Sequence, residues 1–133
     1  ERFLREQAKG ILEFSSLLNR AEEMASDLPY GEQRLLEVAV ALATNPTLLL
    51  LDEPVSGMNP SETESFMEMV AKIKARGTTI LLVEHDMRMV MGVSDHIVVL
   101  NQGGIIAKGT PKEIQNHPEV LRAYLGRGGD KNA

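Results

Sequence analysis

Cysteine and tryptophan are both absent from the 133 residues of this chain. Without cysteine there can be no disulfide framework and no thiolate metal site, which is compatible with a cytosolic home. Aromatic residues make up only 4% of the chain, so the stacking platforms used by single-strand nucleic-acid binders are missing. Positive charge is also short: 14 Lys and Arg stand against 19 Asp and Glu, a net charge of -5. Phosphate neutralisation needs a basic surface, so nucleic acid is not the expected partner. No apolar run is long enough to span a bilayer, and the opening ERFLREQAKG has no signal-peptide pattern. Both N-x-[ST] matches, Asn45-Pro46-Thr47 and Asn59-Pro60-Ser61, carry the forbidden proline. What is present, 43% hydrophobic and 25% charged residues, is the composition of a globular domain with a core to bury.

The apolar pattern alternates between helical and strand-like stretches. Phe3 to Ser16 has its apolar residues at helical spacing with charges between them. Gly31 to Ala43 reads as a second helix, apolar nearly all round after its first turn and so expected to be buried. TLLLLDE, from Thr47, is expected to be a fully buried strand. Asn59-Pro60-Ser61-Glu62 is a strong helix start: a capping Asn, Pro at the first helical position and an acid three residues after the cap. This helix should run to Arg76 and stop at Gly77. TTILLVEH, from Thr78, reads as a second buried strand, and Asp86 to Met91 as a short helix capped by Asp86. HIVVLN and GIIAKG should form a hairpin turned by Gly103-Gly104. Thr110-Pro111-Lys112-Glu113 caps a small helix, His117-Pro118-Glu119 starts the last one, and GRGGDKNA is a polar tail.

Two apolar runs joined by a capped helix of this length make a βαβ unit, whose strands lie parallel with a right-handed crossover. Ligands of open parallel sheets bind beyond the carboxyl ends of the strands. Asp52-Glu53 ends one strand and Glu84-His85-Asp86 the other, so the two acidic ends are candidates for one shared site. Side-chain alternation should send Asp52 and Glu53 to different partners, and a charge at the end of a buried strand is costly unless it is used. Asp95 and His96 have no such setting and read as surface residues.

LPYGEQRLLEVAVALATNPTLLLLDEPVSGMNP followed by ILLVEHDM resembles the second half of an ATP-binding-cassette (ABC) ATPase, with signature, Walker B, D-loop and switch histidine in the family's order. The resemblance runs from Ile11 to Leu125. The Tyr-Gly-Glu-Gln form of the signature, the GMNP stretch and the ending EVLRAYLG point within that family to the bacterial branched-chain amino acid importer ATPases. The implied fold class is α/β: the C-terminal part of a RecA-like P-loop NTPase domain, with parallel strands, helices and a C-terminal β-hairpin. Residues 1–27 would end a helical subdomain, 28–125 would be the C-terminal part of the ATPase core, and 126–133 the tail.

The resemblance also implies roles. Asp52 would hold the nucleotide-bound Mg²⁺, which prefers hard oxygen ligands. Glu53 would polarise the attacking water as general base, and His85 would contact the γ-phosphate. The signature residues Tyr30, Gly31, Glu32 and Gln33 would face the ATP held by an opposite subunit, with the helix N-terminus and its amides aimed at phosphate. Glycine at 31 would let backbone approach it closely. Pro29 departs from the family's usual Ser and removes both a hydroxyl and a backbone N–H. Ser56, Gly57 and Asn59 resemble the D-loop that crosses the dimer interface, with Asn59 also serving as the helix cap.

No G-x-x-x-x-G-K-[ST] phosphate loop occurs in the chain; the nearest approach, Gly103 to Thr110, has Lys and Gly reversed and falls on the hairpin. The chain is therefore expected to be a C-terminal fragment of a longer ATPase, opening inside its helical subdomain and binding ATP and Mg²⁺ poorly by itself. Expected partners are a second ATPase subunit, identical or not, transmembrane permease subunits and, indirectly, a solute-binding protein, at the cytoplasmic face of the cell membrane. The competing readings are an ABC ATPase of another system such as lipid export, and a non-catalytic association module. A hydrolase built on Ser56, His85 and Asp52 is disfavoured because Ser56 lacks the G-x-S-x-G elbow.

Overall fold

The computed structural model describes residues 1–125, so the polar tail lies outside the described residues. The chain divides after His85 into two compact units.

The first unit contains helix α1 (Arg2–Phe14), two 3₁₀ turns (Leu18–Arg20 and Ala25–Asp27), helix α2 (Tyr30–Leu42), strand β1 (Leu48–Asp52), helix α3 (Pro60–Ala75) and strand β2 (Thr79–Val83). The start of α3 follows its sequence code closely. Asn59 Oδ1 accepts from the Glu62 N–H at 2.9 Å, and Glu62 Oε2 accepts from the Asn59 N–H at 3.0 Å, a full capping box with Pro60 at the first position. Its buried residues, Thr63, Phe66, Met69, Val70 and Ile73, recur at three- and four-residue intervals, which puts them on one stripe. Gly77 then takes a φ of +87°, where a side chain would be strained, and ends the helix. α1 joins by its C-terminal end: Lys72 Nζ donates to the Phe14 carbonyl, and Lys72 and Arg76 lie 4.9 and 4.8 Å from the Phe14 ring centre.

β1 and β2 pair in parallel, with Leu48 opposite Thr79 and Asp52 opposite Val83. The expectation of fully buried strands is corrected here. Leu49 and Leu51 are buried, but Leu50 is 64% exposed and Leu81 59%. One face of the two-stranded sheet is covered and the other is open, and a run of leucines carries no alternation that would distinguish this from burial on both faces. The second helix is also buried on one side only: Val38, Ala39 and Leu42 are enclosed while Val40 is 65% exposed.

The second unit holds helix α4 (Met87–Val93), strands β3 (Ile97–Asn101) and β4 (Gly104–Gly109), helices α5 (Pro111–Gln115) and α6 (Pro118–Val120), and a π-helical turn over Leu121–Leu125. Asp86 caps α4 as expected, its Oδ1 accepting from the Met89 N–H at 3.0 Å. Thr110 Oγ1 caps α5 by accepting from the Glu113 N–H at 3.3 Å. The hairpin is antiparallel, but its turn is Gln102-Gly103 rather than Gly103-Gly104. Both turn residues have positive φ, +49° and +80°, the primed geometry that fits the twist of the flanking strands. Ile97, Val99, Ala107, Ile114 and Val120 form this unit's core, with Met87, Val90, Met91 and Ile106 packed against it. No helix among the described residues is long and apolar enough to cross a membrane.

Candidate functional site

The parallel register places the last residue of β1 beside the last residue of β2, Asp52 opposite Val83. The Glu53 N–H donates to the Val83 carbonyl at 2.8 Å, so the pairing extends one residue past β1 before the chain turns. It turns at Glu53 itself, whose φ of +45° lies in the left-handed region, uncommon for a residue with a side chain. Such backbone persists where the surroundings fix it, and it concentrates at functional sites. The alternation of β1 had assigned Asp52 and Glu53 to opposite faces; the left-handed step re-aims the Glu53 carboxylate. That carboxylate, about half exposed, lies 3.3 Å from His85 Nδ1, Oε1 being the near atom. The two strand ends lie together: Glu53 and His85 touch, and Asp52 stands at the position before Glu53.

Glu84, which in sequence is simply part of the second strand end, is turned inward. Its side chain is 1% exposed. Oε1 accepts from the Val55 N–H at 3.2 Å and Oε2 from the His85 N–H at 2.9 Å. The sequence gives no sign of this, because the bond to Val55 spans 29 positions.

The Leu28–Gln33 segment is organised by side chains that turn back onto the chain. Pro29 occupies the N-cap of α2 and offers no side-chain cap. Gln33 Nε2 donates to the Leu28 carbonyl at 3.0 Å and the Ser26 carbonyl at 3.3 Å. Glu32 pairs with Arg20, Nε to Oε2 at 3.0 Å, while the same guanidinium donates to Glu23 at 2.9 Å. The hydrogen bonds to Glu23 and then Glu32 hold the Arg20 guanidinium above its ordinary pKa. Gly31 is buried, and a Cβ there would sit 2.9 Å from Glu62 Cγ of α3. A side chain at position 31 would therefore crowd the Glu62 stem where α2 packs on α3.

Tyr30 joins this segment to the turn after β1. Its hydroxyl donates to the Ser56 carbonyl at 2.9 Å and accepts from Arg34 Nε at 3.0 Å. Its hydrogen bond to Arg34, followed by that of Glu37, raises the arginine's pKa. Gly57 has a φ of +79°, and a Cβ there would lie 3.6 Å from the Tyr30 ring. Asn59 sits two residues on as the cap of α3. Tyr30→Phe is expected to cost about 0.5–1.5 kcal/mol, since water can replace both lost bonds at this exposed position; the shift in thermal midpoint measures it.

Among the described residues no three His, Cys, Asp or Glu side chains converge as a metal-ligand set. Asp52, exposed at the end of β1, could contribute one carboxylate to a cation. That donor set fits Mg²⁺, which takes one or two protein carboxylates and completes its shell with water and phosphate oxygens.

Two family models match the chain. One, described as an AAA domain, putative AbiEii toxin, Type IV TA system, matches residues 3–89. The other, described as a branched-chain amino acid ATP-binding cassette transporter, matches residues 105–130. Among curated proteins, the high-affinity branched-chain amino acid transport ATP-binding protein LivG of Salmonella typhimurium is 52% identical over 122 residues, 91% of this chain and 48% of that protein. BraF of Pseudomonas aeruginosa, of the same description, is 47% identical over 127 residues, 95% of this chain and 50% of that protein. A solved ATP-binding cassette of an ABC transporter in its ADP conformation is 35% identical with a TM-score of 0.82, covering 91% of this chain and 49% of that one. The chain spans about half the length of the curated relatives it matches. The α/β fold with its parallel strand pair agrees with that of the cassette. On sequence and fold together, the chain belongs to the LivG/BraF family of ABC ATP-binding proteins.

Proposed function

We propose that this chain is the signature-to-switch half of the ATP-hydrolysing subunit of an ABC importer for branched-chain amino acids. The observation that carries the proposal is the meeting of Glu53 and His85, 3.3 Å apart, one residue beyond Asp52 at the carboxyl end of a parallel strand pair. The family relationship supplies the substrate class, through relatives whose names specify branched-chain amino acid transport.

Each residue has a part that its chemistry suits. A magnesium nucleotide, when bound, supplies the phosphoanhydride to be cleaved and the divalent charge that offsets the phosphates. Asp52 offers a hard carboxylate oxygen to the cation. Glu53 accepts the proton of a water at Oε2, the contact of Oε1 to His85 holding the group in place. His85 keeps a donor at that edge, able to bond either Glu53 or a phosphate oxygen. The N-terminus of α2, with Tyr30, Gly31, Glu32 and Gln33, is the surface offered to the nucleotide of an opposite subunit. Because Glu32 and Gln33 bond within the chain, backbone amides and the helix dipole carry that role better than their side chains do. Ser56, Gly57 and Asn59 form the loop that would meet the second subunit.

The complete protein would be peripheral at the cytoplasmic face of the membrane, paired with a second ATPase subunit and bound to permease subunits. The division into a helical subdomain ending at residue 27 and a core from residue 28 belongs to the same proposal. No phosphate loop occurs in these 133 residues. The isolated chain is therefore expected to show no Glu53-dependent ATP turnover, whereas a longer protein containing it and a phosphate loop hydrolyses ATP. A malachite-green phosphate assay on the two side by side checks this. Robust turnover by the isolated chain would overturn the two-part reading. Stimulation of the assembled transporter by a binding protein loaded with leucine, isoleucine or valine tests the solute class; stimulation only by unrelated solutes would refute it.

A further inference from the structure

Glu84 is the one acidic side chain of the site withdrawn from solvent, at 1% exposure, and burial of a carboxyl group is costly unless its oxygens are bonded. Those oxygens accept from two backbone N–H groups of different segments. The Val55 N–H belongs to the turn after Glu53, and Pro54 between them has no N–H to give. The His85 N–H belongs to the end of the other strand. One side chain thus fastens the backbone two residues after Glu53 to the backbone of His85, bracketing the 3.3 Å contact between their side chains.

We propose that Glu84 is a positioning residue for catalysis: its carboxyl group clamps the Val55 and His85 amides and so fixes the distance between Glu53 and His85. The strand pair itself ends here, β1 at Asp52 and β2 at Val83. Glu53 is the last residue joined to β2 by the Glu53 N–H to Val83 carbonyl bond, and its own backbone is left-handed, a conformation that needs an outside restraint. A carboxyl group suits the task because two acceptor oxygens on one carbon can each meet an amide donor. Gln keeps the size but replaces one acceptor with an NH₂ that points a donor at a donor. Asp keeps both acceptors on a stem one carbon shorter, too short to reach both amides from the same backbone. The side chain touches neither water nor nucleotide in this role; it acts through Glu53 and His85.

The kinetic consequence rests on the ATPase reading, and the structural one does not, so the experiment measures both on the complete protein. Glu84→Gln and Glu84→Asp are compared with the unmodified protein by amide hydrogen exchange, by nucleotide binding and by steady-state turnover. The expected result is exchange at the Val55 or His85 amide about tenfold faster or more, with β1 and β2 amides unchanged. Turnover should fall at least about tenfold with nucleotide affinity within about threefold, because misplacement of about 1 Å costs about 10²-fold in rate while leaving binding contacts intact. Glu84→Asp, able to hold one amide, should fall between the other two. Unchanged exchange at both amides in Glu84→Gln would overturn the clamp. Altered exchange with turnover within about twofold of the unmodified protein would overturn its catalytic role. If the unmodified protein shows no Glu53-dependent turnover, it is the ATPase reading that fails, and the exchange data decide the clamp by themselves.

Discussion

Glu53→Gln in the complete protein is expected to lower ATP turnover by about 10²–10⁴-fold, the range removed with a general base. Nucleotide binding should persist, since the substitution removes proton-accepting capacity without changing side-chain volume. The structure makes this a test of chemistry more than of folding. Glu53 is about half exposed, its backbone bonds run from its own N–H to Val83 and from Ser56 N–H to its carbonyl, and neither depends on the carboxylate. His85 Nδ1 would face either an amide oxygen or an amide nitrogen in place of Oε1, so the contact need not be lost outright. The readout is a fall in kcat with nucleotide Kd held within a few-fold, which separates loss of a transition-state role from loss of binding. Unchanged kcat would refute the base.

Phe66→Ala is expected to destabilise the chain by about 3–5 kcal/mol, the usual cost of truncating an enclosed aromatic ring. Phe66 is 0% exposed on the buried stripe of α3, between Thr63 and Ile73. The loss combines the transfer of the ring's area with the cavity left behind, because a helix fixed by a capping box at one end and a left-handed glycine at the other has little room to collapse. Against a total of about 5–15 kcal/mol for a typical domain, this is a large fraction. Urea unfolding followed by circular dichroism should show the midpoint drop by more than about 1 M. Ala71→Ser, on the exposed side of the same helix, should move it by no more than about 0.5 kcal/mol. Equal effects from the two would mean that the stripe is not the core.

Local chemistry explains which features were legible in advance. Asn59, Pro60 and Glu62 specify a helix start within four residues, and that start is found with both reciprocal bonds. Asp86 and Thr110 announce their caps in the same way. Periodicity found β1 and β2 but misjudged their burial, since LLLL has no period to read and the open face is a property of what packs against the sheet. The hairpin was found with its turn misplaced by one residue, because Gln102 accepts a left-handed conformation that composition would assign to Gly104.

The sequence by itself determined the order of elements, the capped helix between two parallel strands, and the delivery of Asp52-Glu53 and Glu84-His85 to neighbouring strand ends. These follow from short-range preferences and from the rule that a strand-helix-strand unit pairs its strands in parallel. Only the tertiary structure decided how the delivered residues are aimed: the left-handed step at Glu53, the Glu84 bonds to Val55 and His85, the Tyr30 bond to Ser56, and the pairing of Glu32 with Arg20. Three of these are fixed by partners 12 to 29 positions away. No local pattern encodes such a contact, since both partners look like ordinary polar residues until packing brings them within hydrogen-bond reach and removes competing water.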